Sequence, residues 1–341
     1  MAGRPREKAV TQTDIARELN ISVVSVSNAL NGRKGVSSEL RQMILDTAEE
    51  MGYQGEIHGR ITREIGFRIG VVISGRFLYD TPSFYMRIYQ EIVVAAAEKK
   101  CVTFLEVLDT DREGSKKLPD LMTGDQVDGV LVVGELCVSY TRLIREKSLV
   151  PVIFVDYYED LPDTDFVISD GYTGTYQLTR RLLEAGYHDI AFVGNIRSTS
   201  SIMDRYLGYR KALMERQIPI VPEWIIPDRE DESRNVYVKI PEKMPEAFVC
   251  NCDKTAGMLI KKLLEEKYDV PGDVGVVGFD HFLQEELAGI TLFTYDVDIR
   301  KIAEVSVHTL IRKVNHTCFT PRLQVIHGKI VEGNSYRIIE K

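Results

Sequence analysis

From Gly66 onward, short β-branched runs alternate with longer amphipathic stretches, and this alternation constrains the fold more than any other feature of the chain. The apolar runs are Ile69–Ile73, Val102–Val107, Val130–Val133, Val152–Val155, Ile190–Val193, Ala247–Cys250 and Val274–Phe279. Between them lie helical stretches, among them Ile88–Lys99, Thr175–Ala185, Tyr206–Glu215, Thr255–Glu266 and Ile299–Val314. Strand–helix alternation predicts mostly parallel sheets covered by helices on both faces, and such doubly covered strands read as continuous apolar runs. Phe67–Ile73 and Asp189–Gly194 each open a similar series, which predicts two α/β lobes. The expected lobe limits are about 67–164 with 296–323, and 165–295 with 324–341.

Residues 11–52 follow a different period. Thr11 with Asp14 three positions on is a capping-box pattern, and Ile15, Ala16 and Leu19 then supply one apolar helix face. Asn20-Ile21 marks a tight turn, since Asn tolerates the left-handed conformation. Ser22 is placed to cap a second helix carrying Val23, Val26, Ala29 and Leu30, stopped by Asn31-Gly32. Ser37 is placed to cap a third, with Leu40, Ile44, Ala48 and Met51 on one face and Gly52 at its end. The expected fold class is therefore a small all-α helix-turn-helix head (1–53), a polar hinge or linker (54–66) and a two-lobed α/β core (67–341).

A net charge of −8 at first argues against nucleic acid as a partner. Its distribution removes the objection. Residues 1–65 carry nine Lys/Arg and nine Asp/Glu, so the whole deficit lies in the core. Arg4, Arg6 and Lys8 form a basic N-terminal arm, while Asp46, Glu49 and Glu50 fall together late in the third helix. The five cysteines, Cys101, Cys137, Cys250, Cys252 and Cys318, are odd in number and scattered, which reads as thiols in a reducing compartment. No metal site or cofactor is expected. The first residues lead into no apolar signal segment, and no apolar run approaches the roughly 20 residues of a membrane span. A cytoplasmic protein without a membrane partner is expected.

Taken in order, these segments resemble the LacI/GalR family of bacterial transcriptional regulators. Residues 11–32, TQTDIARELNISVVSVSNALNG, resemble its helix-turn-helix signature, and Val36-Ser37 through Gly52-Tyr53 its third helix. Val127-Asp128-Gly129-Val130 resembles the first lobe. Glu184–Gly194, Arg205-x-x-Gly208-Tyr209 and Val276–Asp280 resemble the second. The resemblance implies a DNA-binding domain, a hinge and a core like that of periplasmic sugar-binding proteins, working as a homodimer on double-stranded operator DNA. A dimer also suits a palindromic site.

In such a head the second helix lies in the major groove with its N-terminal residues at the base edges. Val23, Val24 and Asn28 match the family's specificity positions. Asn28 can pair bidentately with adenine, whereas the valines offer only apolar contact, for instance to a thymine methyl. The competing reading of Val23 and Val26 is core packing, and for Val26 it is the better one. Thr11, Ser22, Ser25, Ser27 and Asn31 are small donors suited to phosphates, which position rather than specify. The family's hinge helix wedges a leucine into the minor groove. Here the segment reads QGEIHGRIT (54–62): Arg60 is retained, the leucine position is Thr62, and Ile61 stands beside it. Two glycines lower helix propensity by about 1 kcal/mol each. Either Ile61 takes over the wedge, or the hinge is less ordered and bends DNA less.

The resemblance places a small-molecule effector, a sugar or sugar derivative, between the lobes, where such ligands commonly bind. Phe84 and Tyr85 match aromatic positions that stack on an effector ring in some relatives; packing of the helix is their alternative reading. Arg205 matches an effector-contacting arginine, a forked donor suited to vicinal hydroxyls. Asp280 directly follows an apolar strand, where ligand sites of α/β proteins lie. Cys252-Asp253 replaces the family's usual Asn-Asp or Thr-Asp, which makes Cys252 a pocket thiol and Asp253 an effector contact or a helix cap. An enzyme is the first rival, but no Walker loop, G-x-S-x-G, H-E-x-x-H or dinucleotide fingerprint occurs. The second is a carbohydrate-binding protein with degenerate or weak DNA binding.

Overall fold

The computed structural model describes residues 10–30, 35–51, 53, 66–78, 83–229, 236–282, 287–315 and 322–339. The N-terminal arm, Asn31-Gly32, the hinge with Arg60 and Ile61, and Cys318 lie outside the described residues. The elements in chain order are α1 (Gln12–Glu18), α2 (Val23–Leu30), α3 (Ser38–Glu50), β1 (Arg68–Ser74), α4 (Phe84–Glu98), β2 (Val102–Leu108), α5 (Thr110–Ser115) and β3 (Gly129–Val133). Next come α6 (Val138–Lys147), β4 (Val152–Val155), β5 (Asp165–Ser169), α7 (Gly171–Glu184), β6 (Ile190–Val193), α8 (Ser200–Glu215) and β7 (Ile225–Ile226). The chain ends with β8 (Ala247–Cys250), α9 (Asp253–Glu265), β9 (Gly275–Val277), β10 (Thr294–Asp296), α10 (Ile299–Val314), β11 (Leu323–Ile326) and β12 (Lys329–Val331). Among the described residues no helix is long and apolar enough to cross a membrane.

The head forms as its pattern predicts. Thr11 and Asp14 close the capping box, with the Thr11 N–H donating to the Asp14 carboxylate at 2.9 Å. Asn20 takes a left-handed φ of 53°. Ser22 Oγ accepts from the Ser25 N–H at 3.0 Å, and Ser37 Oγ from the Leu40 N–H at 3.3 Å, so each caps the helix it precedes. Ile15, Val26, Ala29, Leu30, Ile44 and Ala48 bury one small core.

The first lobe is a six-stranded sheet in the order β11-β5-β4-β3-β1-β2, every pairing parallel. Strands β3, β4 and β5 are buried throughout, because helices cover both faces. The second lobe is a parallel four-stranded sheet, β7-β6-β8-β9, with an antiparallel pair, β10-β12, beside it. The expected lobe limits need correction. Asp165–Ser169 pairs with β4 and Leu323–Ile326 pairs with β5, so both strands complete the first sheet. The chain therefore crosses between lobes after Ser169, after Asp296 and after Ile326. Two of these crossovers are tied together: His327 Nδ1 lies 2.6 Å from the Asp170 carboxylate.

Two glycines are fixed by close approach. A Cβ at Gly208 on α8 would collide with the Tyr172 carbonyl of α7, so glycine lets these helices pack backbone to backbone. Gly134, just past β3, has φ +84°, and a Cβ there would lie 2.7 Å from the Phe77 ring and 3.0 Å from that of Tyr85.

Candidate functional sites in the head and the interlobe cleft

On α2 the buried and exposed faces separate cleanly. Val26, Ala29 and Leu30 face the head's core, whereas Val23 is 42% and Val24 68% exposed. The core-packing reading of Val23 is therefore replaced by an outward one. Ser22 is exposed, and Ser25, Ser27 and Asn28 are half-buried around the same helix. The Ser22 and Ser25 hydroxyls share a hydrogen bond at 2.9 Å, and the Thr11 hydroxyl donates to Asp14 at 2.6 Å. Arg41 on α3 escaped the sequence reading. Its guanidinium donates to the carbonyls of Asn28 (3.2 Å) and Ala29 (2.9 Å), satisfying acceptors at the C-terminal end of α2.

In the core, the carboxyl ends of the strands converge on the gap between the lobes. Asp156 follows β4, Glu135 follows β3 and Asp280 follows β9. Asp156 takes φ 62° and Asp280 φ 92°. Such backbone, uncommon for residues other than glycine, turns each chain sharply at the strand end. Arg205 comes from α8 and is buried. Its Nη1 donates to the Asn251 carbonyl at 2.8 Å, and its guanidinium lies 4.2 Å from the Phe279 ring centroid. Its Nε has no acceptor among the described residues. Arg205 is the shared counter-charge of Asp156, Asp204 and Asp280.

The electrostatics follow from burial. Burial pushes the Asp156 carboxyl above its ordinary range, against the pull of Arg205. Burial, and then the nearby Asp253 charge, push Asp280 well above it. Burial raises Asp204 in the same direction. Tyr85 is raised well above a free phenol by burial and then by Asp156, whose carboxylate it reaches with its hydroxyl.

An aromatic group flanks these acids. Tyr85 packs on Phe77 with ring centroids 4.4 Å apart, and Phe84 meets Phe282 of the other lobe edge-on at 5.8 Å. The lobes also touch directly. Glu135 accepts from Ser200, and the Tyr158 hydroxyl lies 3.5 Å from the Asp204 carboxylate. The space among Asp156, Ser169, Ser201 and Asp204 is only about 10 Å³, so at this point the lobes are shut on each other. A larger cavity of about 620 Å³ opens on the flank, between Asp280, Phe282, Arg87 and His327.

The structure thus brings Tyr85, Arg205 and Asp280 together, with Phe84 beside them. Asp156, Asp204 and Glu135 join them unforeseen. Cys252 is half-buried, 3.3 Å from the Thr255 hydroxyl, and burial followed by Asp280 raises its thiol to about 11, so it is a neutral thiol. Asp253 is not the cap: Cys252 occupies that position, and Asp253, first in α9, accepts from the Thr294 hydroxyl at 2.6 Å beside the crossover strand β10. Behind the cleft sits Asp228, fully buried. It accepts from the Asn195 N–H (3.0 Å), Asn251 Nδ2 (2.8 Å), Thr255 Oγ1 (3.0 Å) and Arg229 (2.7 Å).

Residues 179–336 match the model of a periplasmic binding protein-like domain. The chain is 25% identical to the HTH-type transcriptional repressor PurR of Actinobacillus pleuropneumoniae serotype 3, over 97% of this chain and 99% of that protein. It is 28% identical to the HTH-type transcriptional regulator RegA of Clostridium saccharobutylicum, over 96% of this chain and 99% of that one. Among solved structures, a complex of the transcriptional regulator CelR with cellobiose superposes with a TM-score of 0.68 at 19% identity, over 96% and 99% of the two chains. The lac repressor dimer bound to operator and the anti-inducer ONPF superposes with a TM-score of 0.67 at 19% identity, with the same coverage. These likenesses establish the fold: a helical head followed by a two-lobed α/β core.

Proposed function

We propose that this chain, a relative of the LacI-type regulators from end to end, is a DNA-binding transcriptional repressor whose operator affinity is set by a small polar effector held between its lobes. The observation that carries the reading is the outward face of α2. A valine 68% exposed, placed where a recognition helix meets base edges, has no packing role in the head and suits a thymine methyl.

Asn28 pairs with adenine through its side-chain amide. Thr11, Ser22, Ser25 and Ser27 hold phosphates, together with Asn31. Arg60 and Ile61 of the hinge reach the minor groove. In the core, Phe84 and Tyr85 supply the flat face for a sugar-like ring, while Arg205, Asp280 and Cys252 line the cleft and Asp253 secures the crossover behind it. Ligand and closed lobes favour each other, and the lobes carry the paired heads. Effector binding then changes operator affinity by a coupling free energy, typically about 1–3 kcal/mol.

A homodimer follows from the same reading. The edge strand β2 leaves Val102, Phe104 and Val107 42–50% exposed, an apolar edge that soluble proteins normally cover. A second copy of the chain is the cover proposed.

The reading is tested by incubating the protein with random duplex DNA at moderate salt and sequencing what is retained. A pseudo-palindrome with fixed half-site spacing is expected. No enrichment, with or without candidate sugars, would leave a ligand-binding protein with weak DNA binding in its place.

A further inference from the structure

Charge in the cleft is one-sided. Glu135, Asp156, Asp204 and Asp280 arrive from both lobes, and the guanidinium that Asp156, Asp204 and Asp280 share is Arg205. The other nearby guanidinium groups are engaged elsewhere. Arg229 pairs with Asp228 at 2.7 Å, and Arg76 reaches Glu113 at 4.0 Å and the Glu135 main-chain carbonyl. The carboxylates hold few donors of their own: Ser169 and Tyr85 on Asp156, the Phe282 N–H on Asp280, and a Tyr158 hydroxyl 3.5 Å from Asp204. Like charges gathered in a low-dielectric gap are costly unless a cation joins them.

Arg205 supplies an independent second constraint. Its side chain is 94% buried and its Nε–H has no acceptor among the described residues. A buried donor left unpaired costs about 1–3 kcal/mol, and a hydroxyl or ring oxygen from a ligand would remove that cost. The ligand that completes this site must bring both an oxygen acceptor and a positive charge.

We propose that the effector is an amino-substituted polyol of the amino-sugar class, its ammonium held by Asp156, Asp204 and Asp280 and its hydroxyls by Arg205. The inference rests on the effector-cleft reading given above. Phosphorylated and carboxylated sugars are excluded by the same carboxylates. Because burial keeps the Asp156 and Asp280 carboxyls above their ordinary range, binding of the cation ionises them further and releases protons.

The test is calorimetry on the full-length protein at pH 7 and about 0.15 M salt. The probes are glucosamine, galactosamine and mannosamine, the three corresponding hexoses, and the hexose 6-phosphates. One hexosamine is expected to bind at least about 10-fold tighter than its own hexose, with net proton release, and no phosphate to bind. Asp204→Asn is expected to reduce that preference several-fold while leaving hexose affinity unchanged. A hexose or phosphate that binds as tightly as its amine overturns the inference and leaves the effector cleft standing. Failure of every probe at about 10 mM overturns both the inference and a sugar-like occupant, while DNA selection still judges the regulator on its own.

Discussion

Glu135, one residue past the glycine that ends β3 in the first lobe, accepts two hydrogen bonds from Ser200, the first residue of α8 in the second lobe. The main-chain N–H lies at 2.7 Å and the hydroxyl at 2.8 Å. A carboxylate at a helix N-terminus is also favoured by the helix dipole. The contact exists only while the lobes are closed. Glu135→Ala should weaken closure by on the order of 1–2 kcal/mol, a 5- to 30-fold change in the ratio of open to closed forms. Small-angle scattering of the ligand-free variant should show a larger radius of gyration. An unchanged curve would mean that closure does not depend on this pair.

Val24 and Val26 separate reading DNA from folding. Val26 is fully buried in the head's core, and truncating it removes about 1.5–3 kcal/mol of burial. Val26→Ala should lower the melting temperature of the head and reduce DNA binding to every sequence alike. Val24→Ala should leave the melting temperature unchanged and relax the base preference at one position per half-site. Thermal unfolding combined with DNA selection distinguishes the two. A loss of stability in Val24→Ala would contradict its outward placement.

Much of this arrangement is written locally in the chain. The capping pairs Thr11–Asp14 and Ser22–Ser25 lie three residues apart, and the apolar strands β1, β3 and β4 identify themselves by composition. Strand β5 and helix α6 escape notice because Asp165 opens the first and alternating polar residues dilute the second. Strand β11, LQVI, is partly exposed and short. The lobe limits were misplaced because strand partnership is non-local: Leu323 pairs with Phe166. Arg205, Tyr85 and Asp280 could be read from motif and strand end. Asp156 carries the same signal as Asp280, an acid directly after an apolar strand, and that rule applied evenly finds it. Asp228 carries no local signal, since its partners come from Asn195, Asn251 and Thr255.

Asp228 is where removal of one charge costs most. Asp228→Asn sets an amide against donors from Arg229, Asn251 and Thr255 and leaves the guanidinium partly buried without its partner. Breaking a buried pair from one side costs about 3–5 kcal/mol. Burial alone would raise this carboxyl, but Arg229 and the hydrogen bonds outweigh it and hold it below its ordinary value. Its contribution is therefore complete above the unfolded carboxylate range of about 4 and is lost as pH falls through the lower folded value. Urea midpoints should fall sharply for the variant at pH 7, and the difference from wild type should shrink only in strong acid. A constant difference down to about pH 2 would contradict the assignment.

Arg205→Ala should abolish effector binding while leaving ligand-free DNA binding within a few-fold of wild type. The side chain donates to the Asn251 carbonyl and lies over Phe279, so some stability is lost with it. Arg205→Lys keeps the charge but not the forked plane or the Nε–H, and should restore stability without restoring ligand affinity. Parallel loss of DNA and ligand binding in Arg205→Lys would place the residue in the scaffold rather than in the cleft.

Asp280 gives a pH dependence of the opposite sign to Asp228. Burial and the Asp253 charge place its folded pKa well above the unfolded one. Below the unfolded value both states are protonated and nothing is lost. As pH rises past it, the unfolded chain releases its proton first, so stability declines until the folded carboxyl also ionises, and is level beyond that. Asp280→Asn keeps an oxygen to accept from the Phe282 N–H, which lies 3.0 Å from Asp280 Oδ1, and removes the titration. The variant should therefore gain stability relative to wild type between about pH 4 and pH 7, with the gain growing as pH rises. Denaturation midpoints across that window measure it, and a difference independent of pH would show that Asp280 ionises at its ordinary value in the folded cleft.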